Sequence, residues 1–267
     1  KALGAEPILL TVIGNDSDAK DFKALCQDQK LFDEGILISD QRVTTIKHRI
    51  ISGNQHVLRV DQERIDELST TDEKLLIDKF EGLVPNIDVI VFQDYDKGVL
   101  TPSVINELIF IAQKKRIPIA VDPKKRNFSI YKGVDIFKPN LKELAEGTKN
   151  NVDSSDFDKI EEIVADFKLE NNHRGVMVTL SEFGVYIDAD RTVHHKAHKR
   201  NIVDVSGAGD TVISVASLAL GAKLSTSFIA ALSNLSGGLV CEKAGVVPID
   251  RNLLQEEAKK LKFERWL

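Results

Sequence analysis

The chain of 267 residues carries 36 Lys and Arg against 41 Asp and Glu, a formal net charge of −5, and 42% of it is hydrophobic. That suffices for one large α/β domain with a buried core. The mild acidity offers no electrostatic attraction for nucleic acid or an anionic membrane surface, and no uncharged apolar run approaches the ~20 residues that span a bilayer.

Residues 1–5 read as the last turn of a helix with Gly4 at its C-cap, followed by a strand over 7–13. A helix over 17–30, with Ser17 as N-cap, comes next. The pattern then changes: 36–39, 44–52 and 55–61 read as antiparallel strands, the last two joined by a tight turn at Gly53-Asn54, and together they form a small β lid over 34–63. From residue 70 onward strands and helices alternate. Apolar strand cores fall at 89–92, 117–121, 135–137 and 176–180, and helices at 101–115, 141–147 and 157–171. Past residue 210 the apolar positions Val212, Val215, Ala216, Ala219 and Leu220 repeat at helical spacing, with further helices over 226–243 and 251–263. Buried strands separated by amphipathic helices imply a mostly parallel sheet covered on both faces, a three-layer α/β/α sandwich.

The strongest chemical signal is Asp204-Val205-Ser206-Gly207-Ala208-Gly209-Asp210 at a helix start. Gly207, Ala208 and Gly209 let backbone amides converge there, and the amides at a helix N-terminus make an anion site. Asp210 stands at the end of this cradle, where it can take a proton from a hydroxyl. A Gly-rich turn capped by Ser206 fits the bare motif equally well. Ligands of open α/β sheets bind beyond the carboxyl ends of the strands, and polar clusters follow the strand cores at 94–98, 122–124, 139–143 and 179–184. Asn140 and Glu143, three apart at a helix start, face one point; a capping box is the local alternative. The segment from Thr179 to Gly184 reads as a hairpin turn into a strand over 185–188. His194 and His195 alternate across a strand, and with His198 they read as a solvated edge rather than a metal site.

The 204–210 segment resembles the C-terminal signature of the ribokinase-like (PfkB) sugar kinases, and further segments resemble that family along essentially the whole chain. The resemblance implies Asp210 as base and the Gly207-Ala208-Gly209 amides as anion hole. It implies Asn140 and Glu143 as holders of hydrated Mg²⁺ and of the nucleotide phosphates. Thr179, Ser181 and Gly184 would belong to the nucleotide loop, with Ser181 where a glycine is usual, and Asn234 and Gly237 to the adenine pocket, although small residues there also let helices pack closely. ATP and Mg²⁺ are the implied cofactors. A first strand and a Gly-Gly sugar loop would precede residue 1, so part of the sugar site is expected to lie before this chain.

Arg42-Val43-Thr44-Thr45-x-Lys47-x-Arg49, the stretch 55–63, Asp94-Tyr95-Asp96-Lys97-Gly98 and Val121-Asp122-Pro123-Lys124 are more specific. They resemble the heptose-7-phosphate kinases of lipopolysaccharide precursor synthesis, in which Pro is frequent at the position of Val43. Some of those carry a C-terminal nucleotidyltransferase domain, and the residues after 263 are too few for one. Strand alternation puts Thr45, Lys47 and Arg49 on one lid face, and Gln55, Val57, Arg59 and Asp61 on one face of the next strand. With Arg42 and Lys97 these supply cations for a sugar already bearing a phosphate; an edge charged against aggregation is the alternative. Ile46, His48 and Ile50 on the opposite face suggest a homodimer through the lid, since so small a sheet buries little alone. Cys26 and Cys241 form no disulfide framework and fit a reducing, cytoplasmic setting. Kinases of other sugars, and a nucleotide-binding regulator without turnover, are the rival readings.

Overall fold

The computed structural model describes residues 1–52 and 55–263, without the side chains of 51, 55 and 56. The turn expected at Gly53-Asn54 lies outside the described residues. The chain forms two compact units, one from residues 6–86 and 96–108, the other from 1–5, 87–95 and 109–267.

In the first unit, β1 (Thr11–Gly14) pairs in parallel with β2 (Ile36–Ser39) across helix α1 (Ser17–Asp28). The expectation that β2 belongs to the antiparallel lid is thereby corrected. Its apolar residue Ile36 packs with Ile13, Ala19 and Cys26 in a small core that the lid does not share. Asp16, not Ser17, caps α1, accepting the Ala19 N–H at 2.8 Å. The same carboxylate accepts the N–H and hydroxyl of Thr44 at 2.8 and 2.7 Å, and these bonds hold Asp16 below the usual carboxylate range. A capping Asp is favoured over Ser here because it can bind both segments at once.

The lid itself is a two-stranded antiparallel ribbon, β3 (Ile46–Ser52) and β4 (Gln55–Gln62). Lys47 stands across from Asp61, Arg49 from Arg59, His48 from Val60 and Ile50 from Leu58. One register shift falls between Ile50 and Ile51, so the strict alternation expected from Gln55 to Asp61 breaks at Val57. Helix α2 (Thr70–Leu83), capped by Ser69, follows, and α3 (Pro102–Lys115) runs from this unit into the second.

The second unit holds a six-stranded sheet. Strands β5 (Ile90–Gln93), β6 (Ile119–Asp122), β7 (Ile136–Phe137) and β8 (Val176–Thr179) are parallel; β9 (Val185–Asp188) and β10 (Thr192–His195) continue it antiparallel. Alternation along the strands divides the core. Ala120, Ile136, Met177 and Ile187 pack against α6 (Ala208–Gly221) and α7 (Thr226–Val240). On the other face Phe137 meets Phe128, Phe167 of α5 (Phe157–Glu170) and the stacked ring of His173, centroids 4.8–5.1 Å apart. Helix α4 (Leu141–Thr148) follows β7, and α8 (Arg251–Lys260) closes the described chain. This is the expected mostly parallel sheet with helices on both faces. At the start of the chain, residues 1–4 form a turn closed by the Gly4 N–H on the Lys1 carbonyl, with Gly4 left-handed. Among the described residues no helix is long and apolar enough to cross a membrane.

Candidate active site

The second unit opens a cleft of about 450 Å³ beyond the carboxyl ends of β5, β6, β7 and β8. The start of α6 contributes Gly209 and Asp210 to its lining. Gly207 is the N-cap residue, at φ +80, a left-handed conformation that glycine adopts without a side-chain penalty. No side chain caps this helix, so the local alternative in which Ser206 caps it is not realised. Instead the Asp204 carboxylate accepts the N–H groups of Ser206 and Gly245, each at 2.9 Å, and so fixes the turn from outside. The Ala208 N–H bonds the Val205 carbonyl at 3.3 Å within the turn. The amides of Gly209 and Asp210 follow in the first helical turn, where the helix provides no carbonyl partner.

Asp210 lies in that first turn and lines the cleft. Its Oδ1 accepts a hydrogen bond of 3.1 Å from the Tyr95 hydroxyl, 115 residues away in sequence. Burial, then the neighbouring Asp210 charge, pushes the Tyr95 phenol up to about 12. Tyr95 is therefore a hydrogen-bond donor at any working pH.

Asn140 caps α4 and forms the full capping box: Asn140 Oδ1 accepts the Glu143 N–H at 2.8 Å, and Glu143 Oε2 accepts the Asn140 N–H at 2.9 Å. The other Glu143 oxygen receives Lys124. The helix-cap alternative is thus realised, and both side chains nevertheless line the cleft. An isolated parallel bridge from Asn140 to Thr179 draws the end of β8 to the same place. Among the described residues no cluster of three His, Cys, Asp or Glu could cage a metal. Asn140 and Glu143 instead suit a hydrated Mg²⁺ shared with phosphates, because a carboxylate has acceptor sites beyond those two bonds and Mg²⁺ keeps several waters.

Thr179 and Ser181 line the cleft, and 179–184 forms the tight connection between antiparallel β8 and β9, as the hairpin reading expected. Ser181 has φ +50 and Gly184 φ +95. A Cβ at Gly184 would come 2.0 Å from the His195 carbonyl oxygen, so only glycine fits. Asn234 and Gly237 do not line this cleft. The Asn234 amide bonds the carbonyls of His195 and Lys196 at 3.4 and 2.9 Å, and a Cβ at Gly237 would meet the Val212 side chain at 2.7 Å, the close helix packing named as the alternative. His194 Nε2 bonds the Phe183 carbonyl at 2.8 Å.

The cations of the first unit form their own group. Lys47 reaches Asp61 at 3.3 Å and Glu63 at 3.5 Å, Arg59 reaches Asp61 at 3.0 Å, and Lys97 reaches Glu63 at 2.6 Å. The Lys97 ammonium holds the Glu63 carboxyl below the usual range. Thr45 is exposed. Arg42 differs from its expected role: its guanidinium donates to the carbonyls of Asp66, Arg64 and Lys97 at 2.6, 2.9 and 2.6 Å and ties three chain segments together. Tyr95, Asp122 and Lys124, named in the sequence as strand-end polar residues without a role of their own, line the cleft, and so do Gln93 and Lys138, which the sequence reading did not single out. The strand-end rule pointed at Tyr95, Asp122 and Lys124; Lys138, the residue directly after β7, carried the same signal.

Comparison with known proteins agrees with this geometry. A model of the pfkB family carbohydrate kinases matches residues 1–251. The bifunctional protein HldE of Aliarcobacter butzleri is 34% identical over 243 residues, which is 91% of this chain and 51% of that protein. HldE of Caulobacter vibrioides is 35% identical over 246 residues, 91% of this chain and 50% of that protein. The chain thus spans about half the length of the curated relatives it matches. Among solved structures, phosphofructokinase-2 from Escherichia coli in complex with potassium superposes with a TM-score of 0.82 at 15% identity, covering 98% of this chain and 84% of that one. Arabidopsis thaliana ribokinase complexed with ribose and ATP gives 0.74 at 16% identity, covering 96% and 82%. These two share the fold.

The loop makes opposite predictions for its two left-handed residues. Ser181→Gly should raise unfolding free energy by about 0.5–1 kcal/mol, because the left-handed penalty disappears. Gly184→Ala should lower it by more than about 2 kcal/mol through the backbone clash. Urea unfolding of the two variants checks both signs.

Proposed function

We propose, on the premise that this chain belongs to the pfkB family of carbohydrate kinases, that it transfers the γ-phosphoryl group of ATP to the anomeric hydroxyl of a heptose 7-phosphate, a step toward ADP-heptose for the lipopolysaccharide core. One observation carries the chemistry: Asp210 stands in the first turn of α6 beside open backbone amides, in a cleft at the strand ends. Such amides bind phosphate, and a carboxylate there is placed to take a hydroxyl proton. Tyr95 holds Oδ1; Oδ2 is the oxygen assigned to the acceptor. As Asp210 takes the hydroxyl proton, the acceptor oxygen forms a bond to the γ-phosphorus. The bond from that phosphorus to the bridging oxygen breaks, and its electron pair leaves with ADP. Positioning and charge stabilisation do most of the work in such transfers. Mg²⁺, when bound, neutralises phosphate charge, with Asn140 and Glu143 holding its waters. Dependence on ATP puts the reaction in the cytoplasm.

The choice of substrate is supported by the likeness to the HldE proteins and by the lid. Arg49 and Arg59 stand directly opposite each other on β3 and β4. Like charges at such a pair are unfavourable; Asp61 already meets Arg59, and a second anion beside Arg49 relieves the remaining repulsion. A phosphate already on the sugar supplies that anion, with Lys47 and Lys97 as neighbouring cations; Arg42 is left out because backbone carbonyls occupy it. The reverse face of the ribbon exposes Ile50, Leu58 and Val60, each about half accessible. A second lid covering these residues makes the protein a homodimer.

Three measurements test this reading. Asp210→Asn should lower kcat at least about a hundredfold with little change in nucleotide affinity, since general-base contributions are ~10²–10⁴-fold; near-normal turnover at saturation would remove Asp210 as base and leave the turn as a phosphate site only. Among free and phosphorylated hexoses and heptoses, heptose 7-phosphate should have by far the highest kcat/KM, and equal values with and without the phosphate would dissociate the lid cations from substrate. No ATP consumption with any sugar would favour the regulator. Light scattering at micromolar concentration should give twice the chain mass, and a monomer would count against the lid dimer.

A further inference from the structure

Lys138 is the least accessible cation of the cleft. It follows β7, its side chain is 3% exposed, and its Nζ lies 3.1 Å from Asp122 Oδ1 at the end of β6. The other Asp122 oxygen accepts the Gln93 side-chain amide at 3.2 Å. Burial pushes the Asp122 carboxyl up, against the pull of Lys138 and Gln93. A pair of this kind is a poor source of stability, because the cost of removing two charges from water cancels most of their attraction. What the pair has is direction. A Cβ built on Gly209 would find Lys138 Nζ at 3.9 Å and no other heavy atom beyond its own surroundings within 4 Å. The ammonium therefore sits beside the α6 cradle while it is held against the Asp122 carboxylate.

We infer that Lys138 is a further charge-stabilising residue of phosphoryl transfer: its ammonium, aimed by Asp122 and Gln93, reaches the transferring phosphoryl group from behind Gly209 and works together with the Gly209 and Asp210 amides. The inference rests on the kinase reading and adds to it a residue outside the signature segment. Three features support it. Lys138 lines the same cleft as Gly209 and Asp210. The cleft's other lysine, Lys124, is drawn toward the α4 cap by Glu143, so Lys138 is the cation beside α6. A charge held in place by buried partners needs no reorganisation as negative charge shifts onto the transferring oxygens, which is the condition under which such groups are most effective. The one proton transferred in the step is the acceptor's, to Asp210. Gly209 gains a second reason to be glycine, since a side chain there would stand between the ammonium and the phosphate.

The test separates charge from packing. Lys138→Met alone strands Asp122, so the informative chain is the double variant Asp122→Asn, Lys138→Met, which removes both charges and keeps the volume. Its thermal midpoint is compared with wild type, along with kcat at saturation and the affinities for Mg-ADP and Mg-ADP-tetrafluoroaluminate. Loss of one preorganised donor costs about 10²–10³ in kcat. The expected result is a folded variant with kcat lower by that factor, a matching loss of tetrafluoroaluminate affinity and an ADP affinity within about threefold of wild type. A folded double variant with wild-type turnover overturns the inference. The wild-type chain gives a second measurement that no folding defect can obscure: in its complex with Mg-ADP-tetrafluoroaluminate, Lys138 Nζ should lie within about 3.2 Å of a fluoride or phosphate oxygen. An ammonium that stays on Asp122, beyond hydrogen-bond reach of both, overturns the inference as well. Absence of transfer by the wild-type chain to every sugar would instead overturn the kinase reading, and this one with it.

Discussion

The candidate site depends on one unpaired helix start. The first turn of α6 has amides that the helix itself cannot satisfy, and the turn before it is held by Asp204 rather than by a capping side chain over the helix end. A Ser or Asp side chain at the N-cap would take up one of those donors. The left-handed Gly207 brings no such side chain, and Gly209 and Asp210 of the first helical turn line the cleft. The proposed phosphate site and the proposed base thus depend on the same few residues.

Around that turn the cleft contains carboxylate and ammonium groups in matched pairs, Lys124 with Glu143 and Lys138 with Asp122. Each pair joins different strand ends, so the parallel sheet brings opposite charges together without any one loop carrying both. Internal pairing keeps a polar cleft from being a cluster of buried like charges, which would be costly to assemble. It also means that the two lysines are already oriented by their partners rather than left on flexible stems. The lid differs in kind. Its cations sit on a two-stranded ribbon that leaves Lys47, Arg49 and Arg59 accessible, as suits a group that binds and releases a charged substituent.

Local signals were legible in the residues. The alternation of apolar runs and helical spacing placed nearly every strand and helix of the second unit within a few residues, because buried parallel strands and amphipathic helices leave strong periodic patterns. The α6 turn and the Asn140–Glu143 box were readable for the same reason, each lying within one short segment. Errors arose where partners are distant. Strand β2 was assigned to the lid because its own sequence says nothing of whether it pairs with β1 or β3. Arg42 looked like a phosphate ligand, yet the carbonyls of Arg64, Asp66 and Lys97 claim it. Val57 broke the lid's alternation through a register shift that period-2 reading cannot foresee.

The residues by themselves therefore determined the layered α/β plan, the glycine-lined helix start, Asp210 beside it and the capped start of α4, since each is set by interactions among neighbours a few positions apart. Tertiary structure decided which groups share the cleft. The Tyr95 hydroxyl on Asp210 and Lys138 on Asp122, beside Gly209, exist only because separate strands end side by side. Tertiary structure likewise gave Asn234 and Gly237 partners away from the cleft lining, the carbonyls of His195 and Lys196 for Asn234 and the Val212 side chain of α6 for Gly237. The physical reason is common to all of these: a side chain's charge and hydrogen-bonding capacity are written in the sequence, while the partner that claims them is chosen by the packing of distant segments.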